Sequence, residues 1–298
     1  MERETRVALS VLKDIRKVYA GLNADAIRGA AAQNVNIGLM ASSEDSFRSM
    51  RDFLVSPESD EFTRARQLPL VHRAEGSPRR FDFVLCDAGV PMTPNGYLFR
   101  PEGEDSLISA IVADHQGIET ALANTFPRFR RLVADRIVSR VARENALFSI
   151  VTALPNVVPS LFELPWAVGE FATDTAFLTM NQIRMALTLA AAYGRPVGYA
   201  EQKVQIAGIV AGAFGWRAIA RELVGKIPLG GGLIPKAAVA FAGTYAVGLG
   251  LRQLNRSGSE LSRQERRDAY AEAFAKGREA TRELIPNLAQ NKEIPLHH

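Results

Sequence analysis

Apolar residues at helix-like intervals open the chain: Val7, Leu9, Leu12, Ile15, Val18, Tyr19 and Leu22 predict helix within residues 3–33. Asn23-Ala-Asp-Ala reads as the cap of a short helix ending near Ala32. The pattern then changes to short apolar runs bounded by polar, proline-containing loops. Val35–Met40, Leu68–His72 and Phe81–Cys86 predict strands, and a helix over Ser43–Leu54 lies between the first two. Strand alternating with helix predicts a small α/β layer with parallel strands. Residues 91–105 hold Pro91, Pro94, Gly96, Pro101 and Gly103, a composition that reads as irregular chain.

From about Ser106 the periodicity is helical almost to the end. Ser106–Asn124 and Phe126–Glu144 are predicted as helices, and Trp166–Tyr193 as a long one stopped at Gly194-Arg-Pro196. Pro155, Pro159 and Pro165 cut the apolar stretch over 146–162 into short pieces. Two apolar helices follow, roughly Tyr199–Val224 and Pro235–Leu254, joined as a hairpin by Ile227-Pro-Leu-Gly-Gly-Gly-Leu-Ile-Pro235. A charged helix over 259–285 begins near Ser262, where Glu265 completes a capping box. The expected organisation is a helical segment 1–33, a degenerate nucleotide-binding-like α/β domain 34–125, an apolar helical domain 126–258, and a charged helix and tail 259–298. The expected fold class is an α/β layer with a small parallel sheet of degenerate phosphate-loop type, plus a larger all-α part carrying the apolar hairpin.

Composition changes this picture little. A chain of 298 residues with 47% apolar and 23% charged residues has room for two cores and is not disordered as a whole. Its net charge of +4 is slight, and arginine clustering carries more information. Cys86 is the only cysteine, which excludes an intrachain disulfide and a cysteine-based zinc cluster. Met1-Glu-Arg-Glu-Thr-Arg-Val lacks the apolar core of a secretion signal, so a cytoplasmic location is expected.

The strand Asn34–Met40 running into Ala41-Ser-Ser-Glu-Asp-Ser-Phe-Arg-Ser49 stands where a phosphate-binding loop would stand. Such a loop needs glycines that open backbone N–H groups, a lysine for the β/γ-phosphates and a hydroxyl for magnesium. Counted from Gly38, the second glycine is Ser43, the lysine Glu44 and the hydroxyl Asp45; counted from Ala41 they are Ser46, Phe47 and Arg48. Neither register supplies the lysine. Phe81-Asp-Phe-Val-Leu-Cys-Asp87 delivers an aspartate to a strand end, the place where an NTPase organises magnesium. The plainer reading of Asp87 is a cap of the next turn, because Val90 breaks Asp-x-x-Gly and no Asn-Lys-x-Asp occurs. Ser42, Ser43, Ser46 and Asp87 are therefore degenerate nucleotide-site positions. No cofactor, catalytic residue or metal ligand is assigned.

Other chemistry is sparse. His72, His115, His297 and His298 have no zinc-ligand spacing, and His72 reads as structural. Glu163, Glu170, Asp174 and Asn181 recur at seven- and four-residue intervals, which suits a carboxylate site in a bundle or, more plainly, a polar stripe.

Arg128, Arg130, Arg131, Arg136, Arg140 and Arg143 stand against Asp135 alone between 128 and 143, interleaved with Phe129, Leu132, Val133, Ile137, Val138 and Val141. Such a basic amphipathic helix suits an anionic lipid surface. With Ile227, Leu229, Leu233 and Ile234 of the hairpin, these arginines form the expected membrane or partner contact. The uncharged runs 146–162, 204–216 and 237–251 are short of the about 20 residues of a span or broken by proline. Gly208 and Gly212, and Ala238, Ala242 and Ala246, are small-residue faces that let helices approach closely, so homo-oligomerisation is a further expectation. Nucleic acid is not expected, since the basic segment lacks exposed aromatic interleaving.

Val-Asn-Ile-Gly-Leu-Met40 and Phe-Asp-Phe-Val-Leu-Cys-Asp-Ala-Gly89, behind an N-terminal helix with Ile27-Arg, resemble the start of bacterial Era-like GTPases. The second half resembles the helical domain of unknown function fused behind those GTPases. That likeness is carried by Ala153-Leu-Pro, Leu164-Pro, Asp174, Gln182-Ile-Arg-Met185, Ala192-Tyr-Gly194 and Lys226-Ile-Pro-Leu-Gly-Gly-Gly-Leu-Ile-Pro235. The resemblance implies a bacterial protein peripheral to, or shallowly inserted at, the cytoplasmic face of the inner membrane, whose nucleotide domain has degenerated to a regulatory or scaffold role. The competing expectations are an unorthodox nucleotide hydrolase and a soluble helical homo-oligomerisation module.

Overall fold

The computed structural model describes residues 22–77, 79–152, 174–209 and 233–290. They form two compact units, one of Asp25–Asp135 with Ala190–Pro196, the other of Arg136–Leu189 and Val197 onward together with the first residues of the chain.

The first unit carries a four-stranded, wholly parallel sheet. Helix α1 (Ala24–Ala31) precedes strand β1 (Ile37–Met40), which leads into helix α2 (Glu44–Leu54). Helix α3 (Glu61–Gln67), strand β2 (Val71–Arg73), strand β3 (Phe83–Cys86) and strand β4 (Gly96–Leu98) follow. Strand order is β2-β1-β3-β4, so the chain runs to one side of β1 and then crosses to the other. Ile37 sits level with Val71 on one side and with Phe83 on the other. β1 and β3 are central strands, and their runs Ile37, Leu39, Phe83, Val84 and Leu85 are buried.

Strand β4 falls in the segment whose prolines and glycines predict irregular chain. Three residues are enough to pair here because β3 supplies the template: Val84 N–H donates to the Asn95 carbonyl at 3.0 Å, and Phe99 N–H to the Cys86 carbonyl at 2.8 Å. Gly96 is required at its start, since a Cβ there would stand 2.8 Å from Thr93 Oγ1. The single helix predicted over Ser106–Asn124 is two helices, α4 (Glu104–Asp114) and α5 (Glu119–Thr125). The break comes at His115, where the backbone leaves the helical region (φ −114°, ψ 48°).

In the other unit helices stand where they are predicted, as far as the described residues reach. α6 is Arg130–Val151 and α7 is Asp174–Ala192; the division between the units falls inside both. α7 stops as expected at Gly194, whose φ of +69° lets Arg195 N–H reach the Ala190 carbonyl at 2.9 Å. α8 occupies 199–209, α9 is Leu233–Ser257 and α10 is Arg263–Gln290. The capping box at the start of α10 is complete: Ser262 N–H donates to Glu265 Oε2 at 2.7 Å, and Glu265 N–H to Ser262 Oγ at 3.2 Å.

Small residues set the helix crossings. A Cβ on Gly248 would meet Val138 Cγ1 at 2.5 Å, and one on Gly277 would meet the Ala238 carbonyl at 2.8 Å. Among the described residues no helix is long and apolar enough to cross a membrane.

Candidate functional site

In an open parallel sheet, ligands bind beyond the carboxyl ends of the strands, where the chain switches direction. Here that place lies between the ends of β1 and β3, and it gathers Ser42, Ser43, Ser46 and Asp87.

The loop after β1 enters α2 through Ser43, whose hydroxyl accepts from the Ser46 N–H at 3.1 Å. Glu44 and Asp45 complement the positive end of the helix, and Met50, Phe53 and Leu54 bury its inner face. Upstream, the loop's N–H groups are already taken. Ala41 N–H donates to Glu75 Oε1 at 2.6 Å. Ser42 N–H and the Ser42 hydroxyl both donate to Asp87 Oδ2, each at 2.8 Å. On its other oxygen Asp87 accepts from Gly89 N–H at 2.8 Å, which makes it the cap of its own turn. A negatively charged oxygen of the chain itself thus sits on the amide that a phosphate-binding loop would offer to its ligand.

The glycines confirm how little room remains. A Cβ on Gly89 would lie 2.7 Å from both Cβ and Oγ of Ser42, so glycine is what lets the β3 turn close onto the β1 loop. Gly38 is occupied in a different way: a Cβ there would stand 2.9 Å from the Phe81 ring. Glycine there makes room for the Phe81 ring.

Electrostatics agree with this geometry. Asp87 is only 9% exposed, and burial by itself would raise its pKa; donation from Ser46, Ser42 and Gly89 outweighs that and holds it at about 2. A carboxylate so acidic is a poor general base at neutral pH. On β2, Arg73 is paired with Glu44 and lies 3.9 Å from the centre of the Phe47 ring. Arg79 Nη1 lies 3.1 Å from His72 Nε2, and burial followed by the Arg79 charge lowers the His72 pKa. His72 is thus held in place as a structural residue.

The arginine segment is distributed over several tasks. Arg128 pairs with Glu104 at 2.7 Å and Arg131 with Asp105 at 2.9 Å. Arg130 is half-buried and donates to the Ala123 carbonyl at 3.1 Å and the Asn124 carbonyl at 3.4 Å, closing the end of α5. Arg136 is half-buried, while Arg140 and Arg143 are exposed. The interleaved Phe129, Val133, Ile137, Val138 and Val141 are all buried. Leu233 and Ile234 open α9, whereas Ile227 and Leu229 lie outside the described residues.

Glu163 and Glu170 also lie outside them, and no group of three or more metal-ligating side chains occurs among the described residues. Asn181 belongs instead to a buried amide network. Its Nδ2 donates to Asn145 Oδ1 at 2.7 Å, Asn145 Nδ2 donates to Thr244 Oγ1 at 2.7 Å, and Gln182 Nε2 reaches the same hydroxyl at 3.2 Å.

No family model, curated protein or solved structure matches the chain. The functional reading therefore rests on residues and geometry.

Two features of the site escape the sequence pattern. Glu75 sits in a polar loop 34 residues from Ala41, and only the pairing of β1 with β2 brings them together. The bond from Ser42 to Asp87 likewise depends on the pairing of β1 with β3.

Proposed function

We propose that this chain is a non-catalytic, GTPase-like regulatory or scaffold protein, its first unit a degenerate phosphate-loop domain that has replaced the nucleotide with its own carboxylates. One observation carries the reading: the amide and hydroxyl of Ser42 are both bonded to Asp87. Phosphate binding at such a loop depends on open N–H groups and a cation. Here Glu75 and Asp87 fill the first two amides, and no lysine stands in the loop. A triphosphate brought to this place meets negative charge already seated. Hydrolysis by Ser42, Ser46 and Asp87 is the weaker reading, because the carboxylate that would activate a water or serine is held at about 2.

Equilibrium binding of fluorescent GTP and ATP to the full chain with magnesium tests this. The expected result is no saturable binding at millimolar nucleotide. Micromolar binding that disappears in Asp87→Ala would overturn the proposal in favour of the hydrolase.

Attachment to the cytoplasmic face of the inner membrane, through lipid or a membrane protein, is the second part of the proposal. Arg140 and Arg143 support it as exposed cations on α6, each worth about 1 kcal/mol near an anionic surface. With Val133, Ile137, Val138 and Val141 of α6 buried in protein, such contact is mainly electrostatic and salt-sensitive. The apolar segment 227–235, expected from the sequence to be a hairpin, is the remaining candidate anchor. Flotation with phosphatidylglycerol vesicles should carry the full chain upward at low salt and less of it at high salt. Recovery in the soluble fraction at both salts contradicts this part and leaves the nucleotide argument standing.

A further inference from the structure

The helical unit contains a cavity of about 350 Å³ walled by α8, α9 and the turn into α10. Its space comes from missing side chains. Gly208 and Gly250 both line it, and a Cβ built on either meets nothing within 4 Å. Ala246, Leu251 and Leu254 supply an apolar wall. Helix-interior glycines are destabilising relative to alanine. Gly248 in the same helix repays that by close contact with Val138, but Gly208 and Gly250 gain no contact, so their backbones border space instead.

Two polar side chains, Glu260 and Gln205, stand in the wall. Glu260 contributes a carboxylate at the exposed end, and Gln205 an amide oxygen that is shut off from solvent with no hydrogen-bond partner. A buried acceptor left unpaired is destabilising. That oxygen faces away from the cavity, and the Gln205 amide carries donors as well, so the preference for a cationic head rests on the Glu260 carboxylate. A volume of this size lies at the lower end of small-molecule sites. A cavity of about 150 Å³ takes benzene, so this one holds on the order of a dozen non-hydrogen atoms.

We infer that this cavity is a binding site for a small amphiphile with a hydrocarbon body and a cationic, hydrogen-bond-donating head, the class of aliphatic amines. The hydrocarbon lies along Ala246, Leu251 and Leu254, and the ammonium group stays near Glu260.

Isothermal titration of the full chain with decylamine, kept below its micelle concentration, tests the site, with decanoate as the matched probe of opposite head charge. Saturable one-to-one binding of decylamine is expected, with decanoate at least ten-fold weaker. Gly250→Leu fills the cavity with a better helix former; it should weaken decylamine at least ten-fold while the melting temperature holds or rises. Glu260→Gln should narrow the difference between the two probes and leave the fold intact. Absence of saturable binding to the wild-type chain overturns the site, and so does equal binding by a folded Gly250→Leu variant. Equal affinity for both probes overturns the assigned head group.

Discussion

Asp87→Ala is expected to destabilise the sheet-bearing unit by about 2–3 kcal/mol, lowering its melting transition by roughly 10 °C. The substitution removes one carboxylate and leaves Ser42 N–H, the Ser42 and Ser46 hydroxyls and Gly89 N–H without their acceptor. Asp87→Asn keeps the shape but turns an NH₂ toward groups that are themselves donors, so it should recover only part of the loss. The pH dependence has a definite sign. The folded pKa of about 2 lies below the unfolded value near 3.9, so Asp87 contributes its full stabilisation above about pH 4. That contribution is lost as pH falls through 2. Thermal melts from pH 7 to 2 should show the gap between wild type and Asp87→Asn constant down to about pH 4 and closing below it. A gap that closes between pH 7 and 5 would mean the carboxylate is not held as described.

The second large effect is expected in the helical unit. Asn145 is fully buried and joins three helices, accepting from Asn181 on α7 and donating to Thr244 on α9. Asn145→Ala should cost about 3 kcal/mol, through the stranded Asn181 amide and the space left behind. Asn145→Leu fills the space but still strands the amide, and should cost about 2 kcal/mol. The double variant Asn145→Leu, Asn181→Leu should lose less than the sum of its two single variants, because the second change removes the group the first left unpaired. Denaturant unfolding of the four variants and the wild type reads this coupling directly. Strict additivity would show that the two amides do not act as a pair.

The sequence showed architecture more readily than contacts, for physical reasons. β1 and β3 were legible because central parallel strands are buried on both faces and read as continuous apolar runs. The capping box at Ser262 and the stop at Gly194 were legible because local backbone chemistry alone decides them. β4 was not: its three residues have no strand pattern of their own and owe their conformation to the edge of β3. Ser106–Asn124 reads as one helix because the apolar period survives the break at His115.

The site was half legible. A missing lysine can be seen in the sequence, and so can Asp87 as a turn cap. That the same carboxylate occupies Ser42 depends on the parallel pairing of β1 with β3, which places the two strand ends side by side. The arginines of 128–143 illustrate the converse. Their charge is visible in the sequence, while their division into an end-cap at Arg130, ion pairs at Arg128 and Arg131, and exposed positions at Arg140 and Arg143 is set by tertiary packing.

The most direct measurement is a carbon-13 NMR titration of the full chain labelled at its aspartate carboxyl carbons, with Asp87→Asn assigning the resonance. The Asp87 carboxyl is expected to titrate near pH 2 and not to shift when millimolar GTP and magnesium are added. A resonance titrating near 4, or one that moves on adding nucleotide, would show that Ser42 is open to a phosphate and would contradict this expectation.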